Sequence, residues 1–192
     1  MKVSIVDYGA GNVQSLKFAL NRLGVNGVLT SEKEIIMNSD KVIFPGVGEA
    51  STAMKKLKST GLDKVIPSLK QPFLGICLGM QLLCNISEEG NTQGLNIFSC
   101  DVRRFTNKLK VPQMGWNVIK NLKGPLYKKI ENSYVYLVHS YYVPVMKSTI
   151  SVTDYGLEYS SAIQKDNFFG VQFHPEKSSK VGSRILKNFL NL

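Results

Sequence analysis

A chain of 192 residues with 43% hydrophobic and 20% charged residues has the composition of a soluble globule with one sizeable core. No apolar run reaches membrane-spanning length, and the three cysteines are odd in number without zinc-ligand spacing, so neither a membrane partner nor a disulfide or metal framework is expected. The formal charge of +10 raises nucleic acid as a partner, but the lysines are scattered, with short pairs at Lys55-Lys56 and Lys128-Lys129 and no aromatic-basic repeat, so a solvated basic surface is the expectation.

Residues 2–7 alternate and read as a first strand, without the layout of a signal peptide, which points to the cytoplasm. Gly9-Ala10-Gly11 is a turn. Asn12 then caps a helix to about residue 23, with Val13, Leu16, Ala19, Leu20 and Leu23 at helical spacing and Gly24 as its stop. The turn is an incomplete dinucleotide fingerprint: Gln14 replaces the third glycine and no acid closes the second strand, so no nucleotide cofactor is expected. Residues 25–29 and 41–44 read as strands two and three. Pro45-Gly46-Val47-Gly48 follows, and taken alone it is a strand-to-helix turn whose glycines let backbone approach a ligand. Residues 53–57 and 62–69 look helical, and 73–76 form the strand that feeds Cys77. This β-α-β alternation predicts an α/β fold, flavodoxin-like in the broad sense, with a mostly parallel sheet and helices on both faces. Short strands at 98–105, 116–119, 134–138, 150–153, 160–164 and 169–173 predict an antiparallel appendage, and 179–190 an amphipathic closing helix. No repeat or linker interrupts the chain, so residues 1–192 read as one domain.

Gly75-Ile76-Cys77-Leu78-Gly79-Met80-Gln81 carries the most chemistry. A buried strand turns into a helix at a cysteine flanked by glycines, which is the geometry of a nucleophile elbow. The Leu78 and Gly79 N–H groups open that helix, where they favour a thiolate and face a developing oxyanion. A nucleophile needs a base and the base an orienter. In Phe173-His174-Pro175-Glu176, residues two apart on an extended chain face one way, so His174 and Glu176 form a base and its carboxylate. A lone cysteine in an apolar run is usually a buried hydrophobe, and a lone histidine usually structural; the joint pattern is what selects catalysis. Gln81 lies one turn beyond Cys77 on the same helix face. Cys84 reads as core, Cys100 as strand or strand edge, and His139 as structural.

Together these motifs resemble the triad-type (class I) glutamine amidotransferases. Within that family the likeness runs nearly end to end, through Val6-Asp7-Tyr8-Gly9-Ala10-Gly11-Asn12, Phe44-Pro45-Gly46-Val47-Gly48, Pro112-Gln113-Met114-Gly115-Trp116-Asn117 and Val138-His139-Ser140-Tyr141-Tyr142. These runs resemble the glutaminase subunits that serve a (β/α)-barrel cyclase in histidine biosynthesis. The family more usually has histidine at the position of Gln113. The resemblance implies that Cys77, His174 and Glu176 hydrolyse L-glutamine to glutamate and ammonia, without metal or organic cofactor. It places the Val47 and Leu78 N–H groups at the oxyanion, and Gly48, Gln81, Ser140 and Tyr141 at the substrate. It implies a heterodimer with the cyclase, which makes imidazole glycerol phosphate and an aminoimidazole carboxamide ribotide; Asn12, Trp116 and Lys177 are the candidate docking residues. The alternatives are a paralogous subunit feeding another acceptor, such as amidino-sugar assembly, and a thiol-dependent non-glutaminase on the same fold.

Overall fold

The computed structural model describes residues 1–9, 13–106 and 110–192. In chain order its elements are β1 (Val3–Val6), α1 (Val13–Arg22), β2 (Gly27–Thr30), α2 (Lys33–Met37), β3 (Lys41–Gly46), α3 (Ala50–Thr60), α4 (Leu62–Val65), β4 (Phe73–Cys77), α5 (Leu78–Leu82), β5 (Ile86–Ser87), β6 (Thr92–Gln93) and β7 (Arg103–Arg104). There follow β8 (Gln113–Ile119), β9 (Ser133–His139), β10 (Tyr141–Pro144), β11 (Thr149–Asp154), β12 (Glu158–Lys165), β13 (Phe168–Val171) and α6 (Ser179–Leu190). A nine-stranded sheet runs β2-β1-β3-β4-β13-β12-β10-β7, with β11 also paired to β12. The first five strands in that order are parallel, and from β13 onward every pairing is antiparallel. The expected α/β sheet with an antiparallel appendage is therefore what forms.

The parallel strands are buried on both faces, which is why they read as nearly continuous apolar runs. Strand alternation splits the core in two. Val42, Phe44 and Phe73 pack with Ala53, Met54 and Leu57 of α3 and Leu62 of α4. Ile43, Leu74 and Ile76 pack on the other side with Leu16, Ala19 and Leu20 of α1 and Ile185, Leu186 and Phe189 of α6. α1 and α6 are held by the apolar stripes that predicted them. β8 and β9 form a separate antiparallel ribbon, whose Ile119, Val135 and Leu137 face the second core.

Register brings the site together. Gly46 lies opposite Cys77, and Ile76 opposite Val171, so the segments after β3, β4 and β13 emerge side by side at the C-terminal edge of the parallel strands. This is the edge where open α/β sheets place their ligands.

Two expectations are corrected, and one helix was not foreseen. Residues 98–105 do not form one strand; only Arg103–Arg104 pairs, with Tyr141 and Tyr142. The preceding backbone instead serves the end of α5: the N–H groups of Leu95, Ile97 and Phe98 donate to the carbonyls of Leu82 and Leu83. Helix-terminal acceptors took these donors in place of a strand partner, and Cys100 sits half-buried in irregular chain just past a bend at 97–99. The helix expected over 62–69 changes to a 3₁₀ turn at Ile66–Ser68, where Pro67 withholds an N–H. α2 carried no periodic signal, because only Ile36 of its five residues is buried.

Candidate active site

Cys77 ends β4 and precedes α5 with φ 53° and ψ −111°, a conformation that L side chains rarely adopt. Its neighbours make this possible. A Cβ on Gly79 would run into the Phe44 carbonyl oxygen, and one on Gly75 would lie 2.7 Å from the Gly79 carbonyl. The elbow thus closes because β3, β4 and α5 approach backbone to backbone, where only glycine fits. Cys77 is 7% exposed, and the exposed fraction opens on a cavity of about 330 Å³.

His174 lines the same cavity. Its Nδ1 lies 2.8 Å from Glu176 Oε1. The sequence predicts an extended segment for this pair, and the chain takes another route: His174 is extended, but Pro175–Lys177 is a 3₁₀ turn. The turn folds Glu176 back onto the ring, and Ser178 locks it by donating from Oγ to the His174 carbonyl at 2.6 Å. Gly182 lets α6 pack directly on the turn, since a Cβ there would strike the Pro175 carbonyl. Burial pulls the His174 pKa down, but the Cys77 sulfur and the Glu176 carboxylate outweigh it and raise it to about 10. Nε2 is buried without a hydrogen-bond partner among the described residues. An imidazolium there favours a thiolate at Cys77.

The cavity wall also contains Val47, Gly48, Leu78, Gln81, Ser140 and Tyr141, so every residue expected at the oxyanion or substrate faces one space. The Gln81 amide nitrogen donates to the Tyr141 carbonyl and to Gln172 Oε1, both at 2.9 Å, which leaves its Oε1 for a ligand. The Ser140 and Tyr141 carbonyls are engaged by Phe105 N–H at 3.0 Å and by Gln81 and His139. The Val47 N–H lies near the Tyr8 hydroxyl without reaching hydrogen-bond geometry; burial raises that phenol's pKa, and the N–H offsets part of the shift.

The match to known proteins has the same extent as these motifs. The family model described as glutamine amidotransferase class-I matches residues 4–192. A Bacteroides fragilis protein named imidazole glycerol phosphate synthase subunit HisH is 56% identical, with all of both chains covered. A Haemophilus influenzae protein of the same name is 46% identical over 99% of this chain and 97% of its own. The chain belongs to the class-I glutamine amidotransferases. It is therefore an enzyme of that family. A crystal structure described as a glutamine amidotransferase has the same fold, with TM-score 0.79 at 18% identity over 100% of this chain and 98% of that one.

Of the remaining expected residues of this amidotransferase, Trp116 and Lys177 lie outside the cavity. Trp116 is 53% exposed on β8 and meets Tyr136 of β9 edge to face, with ring centroids 6.2 Å apart. Lys177 Nζ stands over the same Tyr136 ring at 5.9 Å. Asn12 lies outside the described residues. Gln113 is buried, and its Oε1 accepts from the Tyr159 hydroxyl at 2.8 Å. That position is thus an inward one on the ribbon, not a surface contact. His139 is buried beside it: its Nδ1 lies 2.7 Å from the Tyr141 carbonyl, which can only accept, so Nδ1 carries the proton. Cys84 is buried in the first core.

Sequence reasoning missed Glu89. Its carboxylate lines the cavity and accepts from the Ala50 N–H at 2.9 Å; burial raises its pKa, and that hydrogen bond opposes the rise. No motif marks it, because it reaches the site from a 3₁₀ turn at Glu89–Asn91 folded against α3.

Proposed function

We propose that this amidotransferase hydrolyses L-glutamine and passes the ammonia to a separate cyclase subunit. One observation carries the reading: a cysteine on a glycine-flanked elbow shares a cavity with a histidine whose far nitrogen is held by a buried carboxylate. The cavity of about 330 Å³ suits a single amino acid. The Glu89 carboxylate meets its ammonium, Gln81 Oε1 holds a donor of the substrate, and Gly48, Ser140 and Tyr141 line its backbone end.

The Cys77 thiolate attacks the side-chain amide carbon, and the carbonyl oxygen becomes an oxyanion facing the Leu78 N–H and, once its loop turns it from Tyr8, the Val47 N–H. Each such donor lowers the barrier by about 3 kcal/mol. His174 gives its proton to the amide nitrogen, the C–N bond breaks, and ammonia leaves a thioester. Neutral His174 then takes a proton from water as the water oxygen attacks the thioester carbon. Collapse of that intermediate breaks the C–S bond, releases glutamate and restores the Cys77–His174 pair. Glu176 keeps the imidazole oriented throughout.

The named relatives are subunits of imidazole glycerol phosphate synthase. By likeness to them, the acceptor is a (β/α)-barrel cyclase bound as a heterodimer, in histidine biosynthesis. The β8–β9 ribbon suits such a partner. Its Gln113 and Ile119 are buried, while Met114 and Trp116 face out with Tyr134 and Tyr136. Lys177 connects this apolar face to the turn carrying Glu176. Residues 1–192 act as one domain in this reading. Among the described residues no helix is long and apolar enough to cross a membrane; a reducing cytoplasm would keep Cys77 a free thiol.

The test is glutamate release by the chain with its cyclase. Cys77→Ala should abolish turnover and preserve folding and partner binding, and a glutamine-like electrophile should label Cys77 while sparing Cys84 and Cys100. Equal labelling of all three cysteines would remove the elbow from the mechanism.

A further inference from the structure

Gln172 is fully buried one residue beyond β13, with its backbone N–H donating to the Ser161 carbonyl at 2.9 Å. Its side chain touches the nucleophile: Nε2 lies 3.7 Å from Cys77 Sγ. The network determines which end of the amide faces the sulfur. The Tyr141 carbonyl can only accept, so Gln81 must present its nitrogen there. The second hydrogen of that nitrogen goes to Gln172, which must answer with its oxygen. The Gln172 nitrogen is left for Cys77.

The sulfur therefore sits between two opposed groups. The Val138 carbonyl, 3.8 Å away, can engage only the protonated thiol. The Gln172 N–H donates to sulfur, and such a donor binds an anion more strongly than a neutral atom. We propose that Gln172 is a positioning residue of the amidotransferase: its side-chain N–H holds the attacking sulfur as a thiolate and links it, through Gln81, to the wall of the substrate cavity. The proposal rests on the reading of Cys77 as nucleophile. It also gives Gln81 a second task. A substrate donor on Gln81 Oε1 polarises a chain of amides ending at the sulfur, so glutamine and thiolate favour each other.

The experiment measures alkylation of Cys77 by iodoacetamide in the folded protein without glutamine, mapped by mass spectrometry from pH 5 to 10, with kcat and KM for glutamine beside it. Gln172→Met keeps length and removes the donor. Its alkylation at neutral pH should slow at least about tenfold, its pH profile should move to higher pH, and kcat should fall more than KM rises. Gln172→Glu keeps the acceptor for Gln81 and the volume, and serves if Gln172→Met does not fold. It donates only while its carboxyl is protonated, so Cys77 loses that donor as pH rises, a signature no merely structural role would give. The other titratable groups on this sulfur or cavity are His174, His139, Tyr8, Tyr141, Tyr159 and Glu89, all unchanged in both variants. Alkylation of both variants within about twofold of the parent at every pH would overturn the inference and leave the nucleophile standing. Failure of the parent to label at Cys77 would remove the proposed function, and this inference with it.

Discussion

His174 and His139 are both buried against one cavity, and their surroundings drive them in opposite directions. His174 has a carboxylate at Nδ1 and a thiol near Nε2, which outweigh its burial. His139 meets a backbone carbonyl and the Tyr159 hydroxyl, 3.2 Å from Nε2, and no anion. Burial therefore lowers its pKa to about 4, and nearby His174 adds to the effect. Between pH 4 and 6.5 the unfolded chain binds a proton at this residue that the folded chain refuses, so stability should fall as pH drops through that window. Urea midpoints between pH 4.5 and 7 measure it: His139→Gln should flatten that slope, and an unaltered slope would mean other groups set it. Glu176→Gln keeps shape at the orienter but removes its charge. Turnover should fall by about 10²–10⁴, less than on loss of Cys77, because nucleophile, base and oxyanion donors remain. An unchanged rate would make Glu176 a bystander. The triad residue types were legible as spacing and composition. The route by which Glu176 reaches the ring was not, since a 3₁₀ turn leaves no mark distinct from an extended His-Pro-Glu.

At the scale of elements, the elbow depends on three backbones meeting. Gly79→Ala places a methyl group against the Phe44 carbonyl, which belongs to the buried strand β3 and has nowhere to move. Destabilisation should exceed about 3 kcal/mol or the protein should fail to fold. Denaturant titration decides: a loss under about 1 kcal/mol would show that β3 and α5 are not packed as described. The parallel half of the sheet was legible because each strand is an apolar run followed by a helix of helical periodicity. β10 was not, since a strand ending in Pro144 and pairing with only a few residues of β7 and β12 has no pattern of its own.

At the scale of the whole molecule, the Val47 loop gives the cavity a way to answer to a partner. The Val47 N–H lies toward Tyr8, and the peptide sits between Gly46 and Gly48, the latter at φ 102°. Such a loop reorients cheaply. The isolated chain should hydrolyse glutamine slowly, and the cyclase with its nucleotide substrate should accelerate it, because ligand and competent loop must favour each other. Glutamate release from the chain alone, with the cyclase, and with cyclase plus substrate separates the cases; a lone chain as fast as the assembly would identify a free-standing amidase. Trp116→Ala should weaken cyclase binding at least about tenfold while the isolated chain keeps its basal rate. Undiminished affinity would place the interface elsewhere.

The sequence by itself determined the fold class, the family likeness and the candidate triad, because these rest on local signals: apolar periodicity, a glycine-flanked cysteine and a His-Pro-Glu run. Gln113 shows where such signals end. It sits in a segment that resembles a family motif, yet only the ribbon's register shows that it points inward to Tyr159. Glu89 and Gln172 needed the tertiary structure for the same reason. Their neighbours in space, Ala50 at the start of α3 and Cys77 at the elbow, are 39 and 95 positions away in the chain. Contacts of that range are set by strand register and helix packing, and no local window of residues encodes them.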